Sequence, residues 1–168
     1  MNSLEGLETP SRVNYAGTVA LSRIFRDIAT IERKDIEAEI KKHHLEDRFT
    51  LPGWVTPQEV VQWLKKSDIL FMPSLSEGLP VVGVQSLAMG LAVVASQAGG
   101  FIDLVDQGIN GKLIDIENIN GFSETLSALV NNPQLLLTYR QASRKKAQEF
   151  DINKISESYE RLFLNILN

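Results

Sequence analysis

Cysteine is absent from this chain of 168 residues. Disulfide bonds, zinc–thiolate sites and a cysteine nucleophile are therefore excluded. No apolar run approaches the roughly 20 residues that a membrane span requires. Residues 1–11 are polar and lack the apolar core of a signal peptide. These absences lead us to expect a cytoplasmic protein.

An excess of basic residues is also missing. The formal net charge is −4 at pH 7 and the pI is about 5.2, whereas a general nucleic-acid binder needs a basic surface to neutralise phosphates. Hydrophobic residues make up 43% and charged residues 23%, as in ordinary soluble proteins. The length suits one well-packed domain and is short for two. We predict a tail over residues 1–12 and a single domain over residues 13–168.

Short apolar runs alternate with amphipathic stretches along the chain. This alternation predicts an α/β fold, a Rossmann-like, doubly wound parallel sheet with helices on both faces. Strands are predicted over residues 13–18, 24–30, 48–51, 69–72, 91–96 and 112–114. Helices are predicted over residues 32–44, 57–66, 80–89, 120–130, 133–149 and 152–167, with a helical turn over 102–106. Ligands of such sheets bind beyond the carboxyl ends of the strands.

Some of these boundaries carry strong local signals. Thr56 precedes a proline and is followed three residues later by Glu59, which predicts a capping box at a helix start. Gly90 follows an apolar helix pattern and predicts its end. Asn110-Gly111 predicts a tight turn into the last strand.

The loop at residues 73–80 (PSLSEGLP) carries the chemistry that we consider most informative. It leads directly into an apolar helix, whose unpaired N–H groups and positive dipole end favour a bound phosphate. Gly78 leaves room for a ligand to approach the backbone. Glu77 lies before the helix and Gln85 within it, eight residues apart and thus at most roughly 12 Å along a helix axis. That span matches the distance from a hexose to a ribose in a sugar nucleotide.

Several sequence pieces, taken in their order and spacing, resemble the group-1 (family 4) glycosyltransferases. They are Leu45-Glu-Asp-Arg48, Gly53-Trp-Val55, Glu77-Gly-Leu-Pro80, Gln85-Ser-Leu-Ala-Met-Gly90, Ala92-Val-Val-Ala-Ser96, Gly99-Gly100 and Gly108-Ile-Asn-Gly111. The resemblance extends from about Arg33 to the C-terminus. It implies the C-terminal, donor-binding half of a GT-B enzyme of the hexosyltransferase type. Such enzymes transfer a sugar from a nucleotide donor with retention and without a bound metal, and the lack of an Asp-x-Asp pair here is compatible with that.

The resemblance also implies a role for each motif position. Glu77 would contact hydroxyls of the donor sugar, and position 85 would hold the ribose. The backbone at Val55, in the turn that Gly53 opens, would read the base edge. The amides that would face the diphosphate flank Pro80, and they belong to Gly78, Leu79, Val81 and Val82. The implied donor is of the UDP or GDP type, with no cofactor, no metal and no certain catalytic residue.

Departures from the family pattern lead us to predict that this chain alone does not transfer sugar. Gln85 replaces the usual glutamate and loses a charge-assisted hydrogen bond, on the order of 1 kcal/mol. Asp103 stands where glutamate is usual. In the first strand–helix unit, Thr18 follows Gly17 where the family has a diphosphate-binding arginine, and no Lys-Gly follows. We interpret that unit as degenerate or missing, and the chain as truncated, with the acceptor-binding N-terminal domain as its absent partner.

A different class of function stays open at this point. The chain could be a non-catalytic interaction module that forms homo-oligomers through a sheet face that the missing domain once covered, because soluble monomers rarely expose large apolar patches. Two side chains also have a structural interpretation. Gln85 could be a satisfied polar residue on a buried helix, and for Trp54 we favour packing over base stacking. We interpret the glycines at positions 99, 100, 108 and 111 first as turn residues.

Overall fold

A computed structural model describes Val13–Asn14 and residues 33–167 of the protein. The strands are β1 (Val13–Asn14), β2 (Phe49–Thr50), β3 (Ile69–Met72), β4 (Ala92–Ser96) and β5 (Gly111–Ile114). The helices are α1 (Arg33–Lys42), α2 (Pro57–Lys65), α3 (Val81–Met89), α4 (Phe101–Leu104), α5 (Ile119–Val130), α6 (Pro133–Ala147) and α7 (Ile152–Leu167), with 3₁₀ helices at Glu46–Arg48 and Gln148–Phe150. None of the described helices has the length and apolar character needed to cross a bilayer.

The predicted elements from residue 33 onwards agree with these bounds to within a few residues. Of the predicted strand at 13–18, only Val13–Asn14 belongs to the described part. The predicted strand at 24–30 lies outside the described residues, as do Gly17 and Thr18. The chain divides into two compact units, Met1–Trp63 and Leu64–Asn168. The single domain over residues 13–168 therefore stays a prediction.

In the first unit, β1 and β2 pair in parallel, with Val13 opposite Phe49 and Asn14 opposite Thr50. The capping box predicted at the start of α2 is confirmed. The backbone N–H of Thr56 donates to Oε2 of Glu59 at 2.7 Å, and the N–H of Glu59 donates to Oγ1 of Thr56 at 3.3 Å. These bonds hold the pKa of the Glu59 carboxyl below its usual value.

The second unit contains a three-stranded parallel sheet in the order β3-β4-β5. Ile69 lies opposite Ala92 in one pairing, and Val93 lies opposite Gly111 in the other. Every residue of β4 is buried, so both faces of this central strand are covered. The parallel α/β architecture with helices on both faces is confirmed.

The face of the sheet that carries Ala92 and Val94 packs against α5 and α6. Phe122 of α5 contacts Phe71 edge-on, with ring centroids 5.6 Å apart. Because successive strand residues point to opposite faces, the fully buried Val93 and Ala95 face the other side of the sheet. The hydrophobic cluster on the first face comprises Ala92, Val94, Ile114, Phe122, Leu129 and Tyr139.

Helix α3 carries the loop of interest, and its C-terminal end is firmly anchored. Gly90 adopts φ 75° and ψ 46°, the left-handed conformation that ends a helix. Its carbonyl accepts a hydrogen bond from Nε of Arg140 at 2.8 Å. The buried Ser143 hydroxyl donates to the carbonyl of Leu91 at 2.6 Å. Helix α6 therefore holds the segment that links α3 to β4.

The predicted turn into the last strand is present over residues 108–110, so it includes Asn110 and ends one residue before Gly111. Gly111 is already the first residue of β5, and the positive φ of 77° belongs to Gly108. Asn110 is fully buried, and its side chain makes two hydrogen bonds to the backbone. Its Nδ2 donates to the carbonyl of Leu104 at 3.0 Å, and its Oδ1 accepts from the N–H of Asp106 at 2.8 Å. Asn110 therefore belongs to the turn, as predicted, and the structure adds that its side chain is buried.

Candidate functional site

The loop after β3 ends at a helix start that has no side-chain cap. Pro80 is the N-cap of α3, and its carbonyl accepts hydrogen bonds from the N–H groups of Gly83 and Val84. Within the described part of the second unit, none of the four backbone N–H groups at residues 78–82 donates to a partner. They belong to Gly78, Leu79, Val81 and Val82. These donors and the positive end of the α3 dipole make the loop suited to an anionic ligand.

A second loop, Gly99-Gly100 after β4, packs its backbone directly against this segment. The N–H of Gly100 donates to the carbonyl of Gly78 at 2.9 Å. A Cβ on Gly99 would lie 1.5 Å from the carbonyl oxygen of Glu77, and one on Gly100 would lie 2.6 Å from that of Gly78. Close approach therefore requires both glycines, and the turn interpretation is incomplete, since of the two only Gly99 has a positive φ.

Glu77 is half-buried, and its side chain accepts a hydrogen bond from within the same loop. The hydroxyl of Ser74 donates to its Oε1 at 3.0 Å. Ser74 is itself buried, and its carbonyl accepts a hydrogen bond from the hydroxyl of Ser96 at the end of β4. Sequence reasoning missed both serines. The available signal was their position, since each closely follows or ends a buried strand whose carboxyl end faces the site.

The remaining predicted residues divide between the two units. Gln85 is half-buried on α3, and Val81 is 71% exposed. Gly78 is exposed, and a Cβ added to it would have no neighbour within 4 Å. Gly53 and Val55 belong to the first unit. Beside them, Trp54 is 69% exposed, so our preference for packing at this position was wrong.

A cavity of about 200 Å³ opens beyond the carboxyl ends of β3, β4 and β5. None of the predicted site residues lines it, although Ser74 connects it to Glu77 through the hydrogen bond described above. The lining residues are Ser74, Leu75, Ser96, Gln97, Ala98, Asp115 and Ile116. Compared with this cavity, the start of α3 is the better candidate for ligand binding, because its free N–H groups present a defined set of hydrogen-bond donors.

Acidic and imidazole side chains do not gather near this loop. Across residues 33–167, no group of three or more such side chains could hold a metal ion. Asp103, which stands where the related pattern has glutamate, is exposed on α4.

Sequence comparison assigns the family. The family described as "Glycosyl transferases group 1" matches residues 30–148, and the chain belongs to this family. It is 31% identical over 133 residues to an uncharacterised glycosyltransferase of Methanocaldococcus jannaschii, a match that covers 77% of this chain and 38% of the relative. It is 28% identical over 109 residues to the N,N'-diacetylbacillosaminyl-diphospho-undecaprenol alpha-1,3-N-acetylgalactosaminyltransferase of Campylobacter jejuni. This match covers 65% of this chain and 29% of the relative.

Solved structures agree on the fold, which is that of the C-terminal region of GT-B glycosyltransferases. Anabaena HepE in complex with UDP matches with a TM-score of 0.71 at 24% identity, over 79% of this chain and 36% of that one. The C-terminal domain of the group 1 protein LpcC from Francisella tularensis matches with a TM-score of 0.65 at 21% identity, over 70% and 60%. The match to HepE and to each of the two relatives above spans less than half of that protein's length.

Proposed function

We propose that this domain binds the nucleotide-sugar donor of a retaining glycosyltransferase at the loop that precedes α3. The observation that carries the proposal is the row of four unpaired backbone N–H groups at residues 78–82, which the Gly99-Gly100 loop holds in place. Such donors at a helix start stabilise a phosphate group. Complexes of Anabaena HepE with UDP and with UDP-glucose support this choice of ligand.

Each part of the donor would meet a different part of the site. Glu77 would accept hydrogen bonds from hydroxyls of the sugar, since an ionised carboxylate has about four lone-pair positions. The amides of Gly78, Leu79, Val81 and Val82 would face the diphosphate. Gln85 would bind the ribose through its side-chain carbonyl.

The same N–H groups would also assist the chemical step. Negative charge grows on the diphosphate as the bond to the sugar breaks, and fixed donors stabilise it without reorganising. No metal is required in this proposal. The acceptor would bind to a separate N-terminal domain, and residues 1–168 alone would bind the donor without transferring it.

Titration of ¹⁵N-labelled protein with UDP-glucose and with GDP-glucose, followed by NMR, tests donor binding. We expect millimolar or tighter binding, with amide shifts that centre on Gly78, Leu79 and Val81. The amide of Leu129, which is buried in α5, serves as an internal reference that should not move. If neither nucleotide sugar shifts the loop amides at millimolar concentration, the proposal is wrong. The comparison of the two ligands also decides which base the domain prefers.

Substitution of Gln85 by glutamate should strengthen donor binding. A carboxylate accepts a stronger, charge-assisted hydrogen bond from a ribose hydroxyl than an amide does, and the expected gain is about five-fold in affinity, or on the order of 1 kcal/mol. Gln141→Glu, on the exposed surface of α6, makes the same charge change and should leave affinity unaltered. Equal affinities of Gln85→Glu and wild type, measured by calorimetry with UDP-glucose, would remove Gln85 from the site.

A second candidate function, self-association, has support from α7. Its apolar residues recur at alternating steps of three and four, namely Ile152, Ile155, Tyr159, Leu162 and Ile166. This spacing is typical of a helix that packs lengthwise against another helix. Four of the five side chains are exposed, Ile152 by 71% and Ile166 by 70%. Sedimentation equilibrium tests self-association: a concentration-dependent dimer that Leu162→Lys abolishes and Glu157→Lys preserves supports it, and a monomer at all concentrations refutes it.

A further inference from the structure

We propose that Ser74 is a positioning residue that orients the Glu77 carboxylate towards the donor sugar. The proposal rests on the function proposed above, in which Glu77 contacts sugar hydroxyls, and it adds a residue that the sequence motif does not contain. Ser74 would not touch the donor itself. It would act on the sugar through its hydrogen bond to Oε1 of Glu77, 3.0 Å long.

Ser74 is well placed for this role because its backbone is held by a contact other than the one with Glu77. It is only 8% exposed. The hydroxyl of Ser96 donates to its carbonyl and so ties the residue to the end of β4. The parallel register continues up to Met72 opposite Ala95, two residues before Ser74. The hydroxyl of Ser74, which is anchored to the sheet, therefore donates a hydrogen bond to the carboxylate of the loop residue Glu77.

The backbone of Glu77 is held independently. Its carbonyl packs against Gly99, and the next carbonyl accepts the N–H of Gly100 at 2.9 Å. These contacts fix the main chain but leave the side chain, with its three rotatable bonds, free to turn. The hydrogen bond from Ser74 removes that freedom and occupies one lone pair of Oε1, which leaves Oε2 and the other lone pair of Oε1 as acceptors. A carboxylate held in this way binds sugar hydroxyls at a smaller entropic loss.

A purely structural role for Ser74 makes a different prediction. If its hydroxyl only stabilised the loop, its removal would weaken UDP and UDP-glucose binding alike, because the same loop holds the diphosphate. If it orients Glu77, its removal weakens only the contribution of the sugar. The ratio of the affinities for UDP-glucose and UDP therefore isolates the proposed role.

The experiment is calorimetric titration of the full chain with UDP and with UDP-glucose. For Ser74→Ala we expect UDP affinity within about two-fold of wild type and UDP-glucose affinity reduced about five- to ten-fold, which is the net effect of one ordinary hydrogen bond. Ser74→Thr keeps the hydroxyl and should restore the ratio. In a Glu77→Ala background, Ser74→Ala should cause no further loss, because the group on which it acts is gone.

The outcomes separate the two proposals. If wild type binds UDP-glucose no better than UDP, or Glu77→Ala leaves the ratio unchanged, the role of Glu77 is refuted and the role of Ser74 with it. If Glu77→Ala lowers the ratio and Ser74→Ala does not, only the role of Ser74 is refuted. Should Ser74→Ala fail to fold, as judged by circular dichroism, Ser74→Cys replaces it, since the thiol is a weak donor of similar size. An unchanged ratio in that variant also refutes the proposal.

Discussion

Gly99→Ala is expected to lower the free energy of unfolding by at least about 3 kcal/mol, because two unfavourable effects combine at this position. The added Cβ would lie 1.5 Å from the carbonyl oxygen of Glu77, which belongs to the backbone and cannot turn aside. The φ of 48° is also one that residues with a Cβ rarely adopt. Urea unfolding followed by circular dichroism measures the change.

Two other glycines serve as controls for this substitution. Gly108 has φ 77° with nothing within 4 Å of an added Cβ, so Gly108→Ala isolates the conformational effect, about 1 kcal/mol. Gly78 has neither a positive φ nor a close neighbour. Gly78→Ala should change stability by less than about 0.5 kcal/mol, yet it should weaken donor binding if the ligand approaches this backbone. Equal effects at Gly99 and Gly108 would contradict the close packing of the two loops.

Asn110→Ala is expected to lower the free energy of unfolding by about 3 kcal/mol. The fully buried side chain satisfies the carbonyl of Leu104 and the N–H of Asp106 at once. Alanine would leave both backbone groups without a partner and would also leave a small cavity. The same urea titration measures this loss.

Asn131→Ala provides the matched control for Asn110→Ala. The Asn131 side chain also donates to a backbone carbonyl, that of Ser127 at 2.9 Å, but it is exposed at the end of α5. Water replaces its hydrogen bonds when it is removed, so the expected change is within about 0.5 kcal/mol. If the two alanine variants lost similar stability, the buried hydrogen bonds of Asn110 would stabilise the fold no more than exposed ones do.

Local signals explain why most elements after residue 33 were predictable. The Thr56–Glu59 capping box and the glycine at position 90 each depend on residues within one helical turn, and both are confirmed. The continuous apolar run of β4 likewise predicted a buried central strand, and each of its residues is buried. The error came where a residue type serves two purposes. Trp54 could be buried or exposed, and periodicity does not decide between those positions.

The arrangement around Glu77 required the tertiary structure. Ser74 and Ser96 are separated by 22 positions in sequence, and they meet because β3 and β4 are neighbours in the sheet. Gly99 meets Glu77 for the same reason, and only the distance to its carbonyl shows that a glycine is obligatory there.

By itself, the sequence determined the family, the parallel α/β architecture and the loop before α3 as the place to look for a ligand. Each of these depends on motifs that are continuous along the chain. Only the tertiary structure decided which residues hold Glu77 in place and at which positions a close backbone contact requires glycine. It also decided that the Asn110 side chain is buried and hydrogen-bonded to the backbone. These features arise from strands that are distant in sequence and adjacent in space, and no local pattern records such contacts.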